Sequence, residues 1–290
     1  MSDEQKGLAL GVMAITLFGL TLPITKLLIP LMHPAFIGFG RAVLAAIVAL
    51  IILLYFKQKP PTINQLWKLI IVASTVVVGF PILSAMAMQT TPASHGGVVM
   101  GIAPLATAAA GAMLGRERPS IGFWLLGLLG TSLVITFSFR HGIDGFVAGD
   151  LLLFVATVLV AIGYAMGGIL AKEMGGWQVI CWALVISFPF ILIPSIVFAP
   201  ERILALPISS ILAFIYLALV SQLLGFFLWY KGMAIGGIAR VSQSQLLQPF
   251  VTILASALFL NESISLSVGL FACAVTATVF LGKRMPIKHD

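Results

Sequence analysis

Ten runs of about 20 predominantly apolar residues follow one another along this chain with hardly a break, and no other feature limits its fold as tightly. A helix of that length, rising ~1.5 Å per residue, crosses a hydrocarbon core ~30 Å thick. The runs are 7–29, 34–56, 66–87, 94–114, 121–139, 149–171, 179–198, 210–230, 239–260 and 264–282. The connections between them are too short to hold a soluble domain. The least distinct breaks are Gln89-Thr90-Thr91-Pro92 and Asn261-Glu262-Ser263. The first run follows Met1-Ser2-Asp3-Glu4-Gln5-Lys6, which carries two acids, and it is longer than the core of a secretion signal, so it is expected to remain as a span.

Composition agrees. Only 9% of the 290 residues are charged and 60% are hydrophobic, against roughly a quarter charged in a soluble domain. The net charge of +7 therefore reports orientation rather than a nucleic-acid surface. With spans alternating in direction, Lys26, Arg41, Arg140 and Arg202 fall on one side, and the remaining 12 of the 16 Lys and Arg fall on the side of the N-terminus. Positive charge collects inside, so both termini are expected to be cytoplasmic. Cys181 and Cys273 lie in apolar runs and read as small apolar residues, leaving neither a disulfide framework nor a cysteine metal site.

The chain also resembles itself at half its length. At an offset of 145, Pro104 falls on Pro249, Thr107 on Thr252, Ala110 on Ala255, Ala112 on Ala257, Glu117 on Glu262, Ser120 on Ser265, Leu125 on Leu270 and Thr131 on Thr276. At 146, Gly79-Phe80 falls on Gly225-Phe226, Ala93 on Ala239 and Lys26 on Lys172. Five spans per half, residues 1–145 and 146–290, is an odd number, so the second half must be inverted relative to the first. Two inverted halves that exchange conformations turn an inward opening into an outward one.

Five plus five spans, a Pro in spans four and nine followed 13 residues later by a Glu in a short loop, Arg41 in span two and Gly19 in span one resemble the drug/metabolite transporter superfamily, EamA type. The resemblance covers nearly the whole chain. It implies an all-α ten-helix membrane protein built as an inverted repeat around a central cavity, often an exporter of amino acids or related metabolites, with no cofactor.

The residues themselves show no His-Glu-x-x-His, no phosphate-binding Gly-x-x-x-x-Gly-Lys-Ser/Thr, no Gly-x-Ser-x-Gly and no acidic pair within a span, so no catalytic or metal-binding residue is assigned. Charges inside spans are Lys26, Arg41, Lys68, Asp150 and Arg240, of which the last three lie close enough to an end to snorkel. Arg41 is seven residues in, about 10 Å deep at helical rise, where a cation must face protein or water. Asp150 is its nearest candidate partner. Arg41 reads either as a site for a substrate carboxylate or as a fixed ion pair or lipid-phosphate contact.

Span nine is the most polar, with Ser242, Gln243, Ser244, Gln245 and Gln248 ahead of Pro249. Gln245 and Gln248 share a face, opposite Met100 and Ala103 by offset, and serve either a solute or neighbouring helices. Phe18 and Thr21 of span one, Tyr164 of span six, and Trp229 and Tyr230 at the end of span eight complete the substrate-site candidates, although aromatic residues at span ends are commonly interfacial anchors. Pro23, Gly97, Gly101, Pro104, Gly163 and Pro249 are hinge or packing positions. His95 opens span four and reads as an interfacial residue. The leading function is a secondary transporter exporting small metabolites, amino acids first. The rivals are an exporter of drugs or other solutes and, from a different class, a membrane-embedded enzyme, which would need convergent acids or a His cluster within the membrane.

Overall fold

A computed structural model of the chain describes residues 2–114, 117–141, 148–201, 205–282 and 287–289. Arg116, Arg202, Lys283 and Arg284 lie outside those ranges, and the side chains of Glu117, Arg118, Arg140 and Gln243 are also outside the described set. In chain order the helices are α1 (Asp3–Gly19), α2 (Thr21–Leu28), α3 (Pro34–Tyr55), α4 (Ile63–Val72), α5 (Phe80–Ala87), α6 (Ala93–Val99), α7 (Ala103–Leu114), α8 (Ile121–His141), α9 (Ala148–Met174), α10 (Gly176–Val197), α11 (Ile208–Ile215), α12 (Gly225–Gly236), α13 (Ile238–Val241), α14 (Gln248–Leu260) and α15 (Leu266–Gly282).

Joined end to end, these make seven stretches long and apolar enough to cross a membrane among the described residues: Asp3–Leu28, Pro34–Tyr55, Ile63–Ala87, Ala93–Leu114, Ala148–Met174, Gly176–Val197 and Ile208–Gly236. Shorter apolar helices run over Trp124–Leu133, Ser244–Leu260 and Leu266–Thr278. The chain is a multi-pass, helical membrane protein. One departure is a short antiparallel pair of strands, β1 (Glu117–Pro119) against β2 (Ile287–His289). Residues 117–119 were expected as plain loop. Outside a helix their backbone N–H and C=O groups need partners, and the second segment supplies them.

Helix boundaries follow local chemistry. At the start of α1, Ser2 Oγ accepts the Gln5 N–H at 3.3 Å and Gln5 Oε1 accepts the Ser2 N–H at 3.0 Å, a reciprocal cap that starts the helix four residues before the apolar run. Gly175 (φ 96°) and Gly237 (φ 83°) join α9 to α10 and α12 to α13 with one residue each, in backbone conformations that a side chain resists.

The breaks within spans trace largely to prolines. Pro23 has no N–H to offer the carbonyl four residues back, that of Gly19, and the helix breaks at Leu20. The hydroxyl of Thr252 takes over, donating to Gly19 O at 2.8 Å. Pro104 likewise cannot reach Met100 O, so the N–H of Ala103 does, tightening Met100–Ile102 to a 3-10 turn. Pro249 does the same for Gln245 O, which is bonded by Gln248 N–H at the end of the 3-10 stretch Ser242–Leu247. Spans three and eight each contain a π-helical stretch, Ala73–Gly79 and Tyr216–Leu224, closed by Phe80 N–H on Thr75 O and by Gly225 N–H on Val220 O.

Small residues bring the helices together. Without water to exclude, membrane helices associate by close packing, which favours Gly and Ala at contacts. α3 turns Gly38, Ala42, Ala45, Ala46 and Ala49 inward and packs along α10. Gly7 and Gly11 of α1 meet Gly232 and Gly236 of α12 so closely that a Cβ on Gly7 would lie 2.5 Å from the Gly236 Cα. Gly97 faces Thr252, Gly101 faces Val275, and Gly163 faces Thr75 and Val76. Outward, Ile51, Leu54, Phe190, Ile193, Leu258 and Leu266 are more than half exposed, the apolar coat that lipid requires.

Candidate functional site

Span eight was expected to end at Tyr230, placing Trp229 and Tyr230 at an interface. It runs to Gly236 instead, and both rings are fully buried mid-helix. They belong to an aromatic cluster in which the Tyr164 ring lies 5.1 Å from that of Trp229, and the Phe226 ring 4.9 Å from Phe18 and 5.4 Å from Tyr230. Tyr230 donates to the Gly163 carbonyl at 3.1 Å, and its ring fills the space beside Gly167. Its position is that of a packing residue.

In front of this cluster is a cavity of about 10 Å³, room for a single water. Phe18, Thr21, Arg41, Val76 and Phe80 line it from the first half of the chain, and Tyr164, Ser221, Gln222, Phe226 and Gln248 from the second. Of the residues expected from sequence, Phe18, Thr21, Arg41, Tyr164 and Gln248 are brought together here. Met100, Trp229, Tyr230 and Gln245 are not among its walls. Met100 is one step away, its sulfur 3.8 Å from Gln248 Nε2, whereas Gln245 Nε2 donates across to Thr107 Oγ1 at 3.3 Å and ties α7 to the 3-10 stretch of span nine.

Ser221 and Gln222 were passed over, although a polar pair in the middle of an apolar span was the available signal. The hydroxyls of Ser221 and Thr21 share a hydrogen bond of 2.8 Å, and Gln222 Nε2 donates to Val76 O at 3.3 Å. The π-helical stretches shape this wall. Each inserts a residue into the ordinary helical repeat and so shifts the face presented by the helix that follows.

Three lining pairs are separated by 146 residues: Phe18 with Tyr164, Val76 with Gln222, and Phe80 with Phe226. Two of these pairs touch. The Phe18 and Tyr164 rings stack with centroids 6.1 Å apart, and Gln222 is hydrogen-bonded to Val76.

Arg41 is the charged member of the lining. It is 1% exposed, and its Nε has no hydrogen-bond partner among the described residues. The expected pairing with Asp150 is not made. Asp150 is buried at the start of α9, where the neighbouring Gly149 packs against Thr90, Thr91 and the carbonyl of Ala87, at the far end of span three. Spans two and six therefore carry their charges to different levels, a separation that residue numbers do not reveal. A buried guanidinium without a carboxylate costs about 3 kcal/mol or more in a membrane interior, and an anionic ligand would offset that cost. The lining combines a guanidinium, hydroxyls and amides with aromatic rings, chemistry that suits a carboxylate and an apolar group, but at its present size the cavity holds no more than a water, so a solute would enter only a wider conformation of it.

His95 stacks edge-on with Phe137 at 4.8 Å, Cys181 is buried in the core and Cys273 faces outward. Exposed or half-exposed ion pairs gather at the end of the molecule that holds the N-terminus, namely Lys6 with Asp3 (3.3 Å), Lys68 with Glu173 (2.8 Å) and Arg240 with Glu4 (2.7 Å).

The EamA-like transporter family model matches the chain twice, over residues 5–139 and 147–282. A Bacillus subtilis (strain 168) protein named as an uncharacterized transporter, YdeK, is 37% identical over 284 residues, covering 98% of this chain and 99% of its own. Protein PecM of Dickeya dadantii (strain 3937) is 26% identical, covering 94% and 89%. A solved crystal structure with a TM-score of 0.66 covers 96% of both chains at 17% identity, a likeness of fold. The chain belongs to the EamA-like transporter family of the drug/metabolite transporter superfamily.

Proposed function

We propose that this protein is a secondary transporter that exports small carboxylate-bearing metabolites, amino acids first, across the bacterial cytoplasmic membrane by alternating access. The observation that carries the reading is the buried Arg41, whose Nε has no partner among the described residues, in a cavity walled equally by the two halves. Its guanidinium meets the substrate carboxylate. Thr21, Ser221, Gln222 and Gln248 offer hydrogen bonds to polar substituents, and Phe18, Tyr164 and Phe226 close over the side chain.

The architecture that goes with it is ten spans in two inverted repeats, residues 1–145 and 146–290, with both termini cytoplasmic. Several features support it. One family model matches both halves, the 3-10 turns ahead of Pro104 and Pro249 recur at an offset of 145, and so do the bonds that close the π-helical stretches. Residues related by a two-fold axis can touch only near that axis, and the Phe18–Tyr164 and Val76–Gln222 contacts lie at the cavity. The excess of Lys and Arg on the N-terminal side, 12 of 16, accords with a cytoplasmic face there.

The test is flux in proteoliposomes with labelled amino acids competing against nucleosides and organic cations. Amino acids are expected to move, and Arg41→Gln is expected to lower their flux at least tenfold with little change in melting temperature. Preferential flux of organic cations that ignores Arg41→Gln would replace this reading with that of a drug exporter.

A further inference from the structure

The loop between α5 and α6 sets two helix ends side by side. The last carbonyls of α5 carry the negative end of its dipole, and the first N–H groups of α6 carry the positive end of the next. An ion of opposite sign meets each of them. Lys26 Nζ, near the end of α2, donates to Met88 O at 2.7 Å and to Thr91 O at 3.1 Å. Glu262, in the link between α14 and α15, accepts the Ala93 N–H on Oε1 at 2.9 Å and the Ser94 N–H on Oε2 at 3.0 Å, and it lies within electrostatic reach of Lys26. Neither ion lines the cavity. Both sit at the end of the bundle away from the N-terminus, Lys26 five residues beyond Thr21, about 7.5 Å at helical rise.

We propose that Lys26 and Glu262 pin the 88–94 elbow to the first and second halves at once when the outer mouth is closed, and that opening outward requires this pin to be released. The inference rests on the alternating-access reading above. Charge-assisted bonds that are made in one conformation and lost in the other bias the equilibrium toward the first.

The offset of the repeats supplies a mirror image. Lys172 corresponds to Lys26, Glu117 to Glu262, and the joint between α12 and α13 to the 88–93 elbow. Lys172 is exposed, whereas Lys26 is held against carbonyls. In the conformation closed to the cytoplasm, Lys172 engages the carbonyls around Ala234 and Gly237.

The experiment uses a cysteine reporter in the cavity, Ser221→Cys on a Cys181→Ala, Cys273→Ser background, labelled by an impermeant maleimide in right-side-out and inside-out vesicles. Lys26→Met and Glu262→Gln are each expected to raise labelling from outside at least threefold without raising it from inside, and Lys26→Arg to return it toward the parental rate. Lys172→Met is expected to raise labelling from inside alone. Unchanged outside labelling in both pin variants, at a preserved melting temperature, overturns the proposal, as does an equal rise from both sides, which marks general loosening. If Lys26→Met opens the outside while Lys172→Met leaves the inside unchanged, the outer pin stands and its mirror fails. A reporter reached from neither side in any variant overturns the alternating-access reading together with the pin.

Discussion

Gln245 and Gln248 are three residues apart with the same side chain, yet they do different things. Gln248 lines the cavity, and Gln245 hydrogen-bonds Thr107 on a neighbouring helix. Sequence alone left both open to either role, because an amide in a span serves a solute or a helix equally well. Substitution separates them. Gln248→Ala is expected to lower transport severalfold at a nearly constant melting temperature, read in proteoliposomes and by thermal denaturation in detergent. Gln245→Ala is expected to cost about 1 kcal/mol of stability, the scale of one interhelical hydrogen bond, with transport per folded molecule little changed. The reverse pattern would move the binding face to the other glutamine. Arg41 teaches a related lesson. Its depth was legible from its place in span two, but that Asp150 does not pair with it depends on where span six comes to rest.

At the level of elements, proline and glycine explain most of the departures from straight helices. Pro104 and Pro249 each leave one carbonyl to be met by a residue one position closer, hence the two 3-10 turns, while Gly19 O is rescued by Thr252 from another span. Gly7 with Gly11 and Gly232 with Gly236 each form a Gly-x-x-x-Gly pair, which the sequence marks as a packing surface without saying which surface meets which. Gly7 and Gly11 could have met any of several partners, and the structure places Gly232 and Gly236 against them. Since a side chain on Gly236 would collide with backbone, Gly236→Leu is expected to destabilise the protein by about 1–3 kcal/mol, seen as a lower melting temperature and a loss of folded material in detergent chromatography. A variant as stable as the parent would show that α1 and α12 can separate freely.

For the whole molecule, the open question is what drives net movement. A proton-coupled carrier needs a group in the membrane that titrates and is shared with the substrate, and carboxylates or His serve best. The cavity is lined by Arg41 and by neutral residues. The carrier is therefore expected to move a net-neutral solute down its own gradient, reversibly and without obligatory proton exchange. Proteoliposomes loaded on one side, with no pH gradient, should show net flux. Flux that appears only with an imposed proton gradient, and disappears in His95→Ala or Asp150→Asn, would establish coupling instead.

Apolar length was enough, without coordinates, to read a multi-pass membrane protein, and the Pro-to-Glu spacing shared by spans four and nine carried the resemblance to the EamA-like family that the family model bears out. Each of these is a property of short stretches, and a bilayer makes short stretches decisive by requiring every exposed backbone group to be satisfied within its own helix. The choice of which polar groups face one another was left to tertiary packing. Span eight ran six residues past its expected end and buried Trp229 and Tyr230, the π-helical stretches shaped the wall that Ser221 and Gln222 share, and Lys26, near the outer end of span one, turned to the carbonyls of Met88 and Thr91 just past the end of span three. Such contacts join residues far apart in sequence, 233 positions between Thr252 and Gly19, and they depend on helix rotation, which an apolar sequence with little amphipathic bias leaves undetermined.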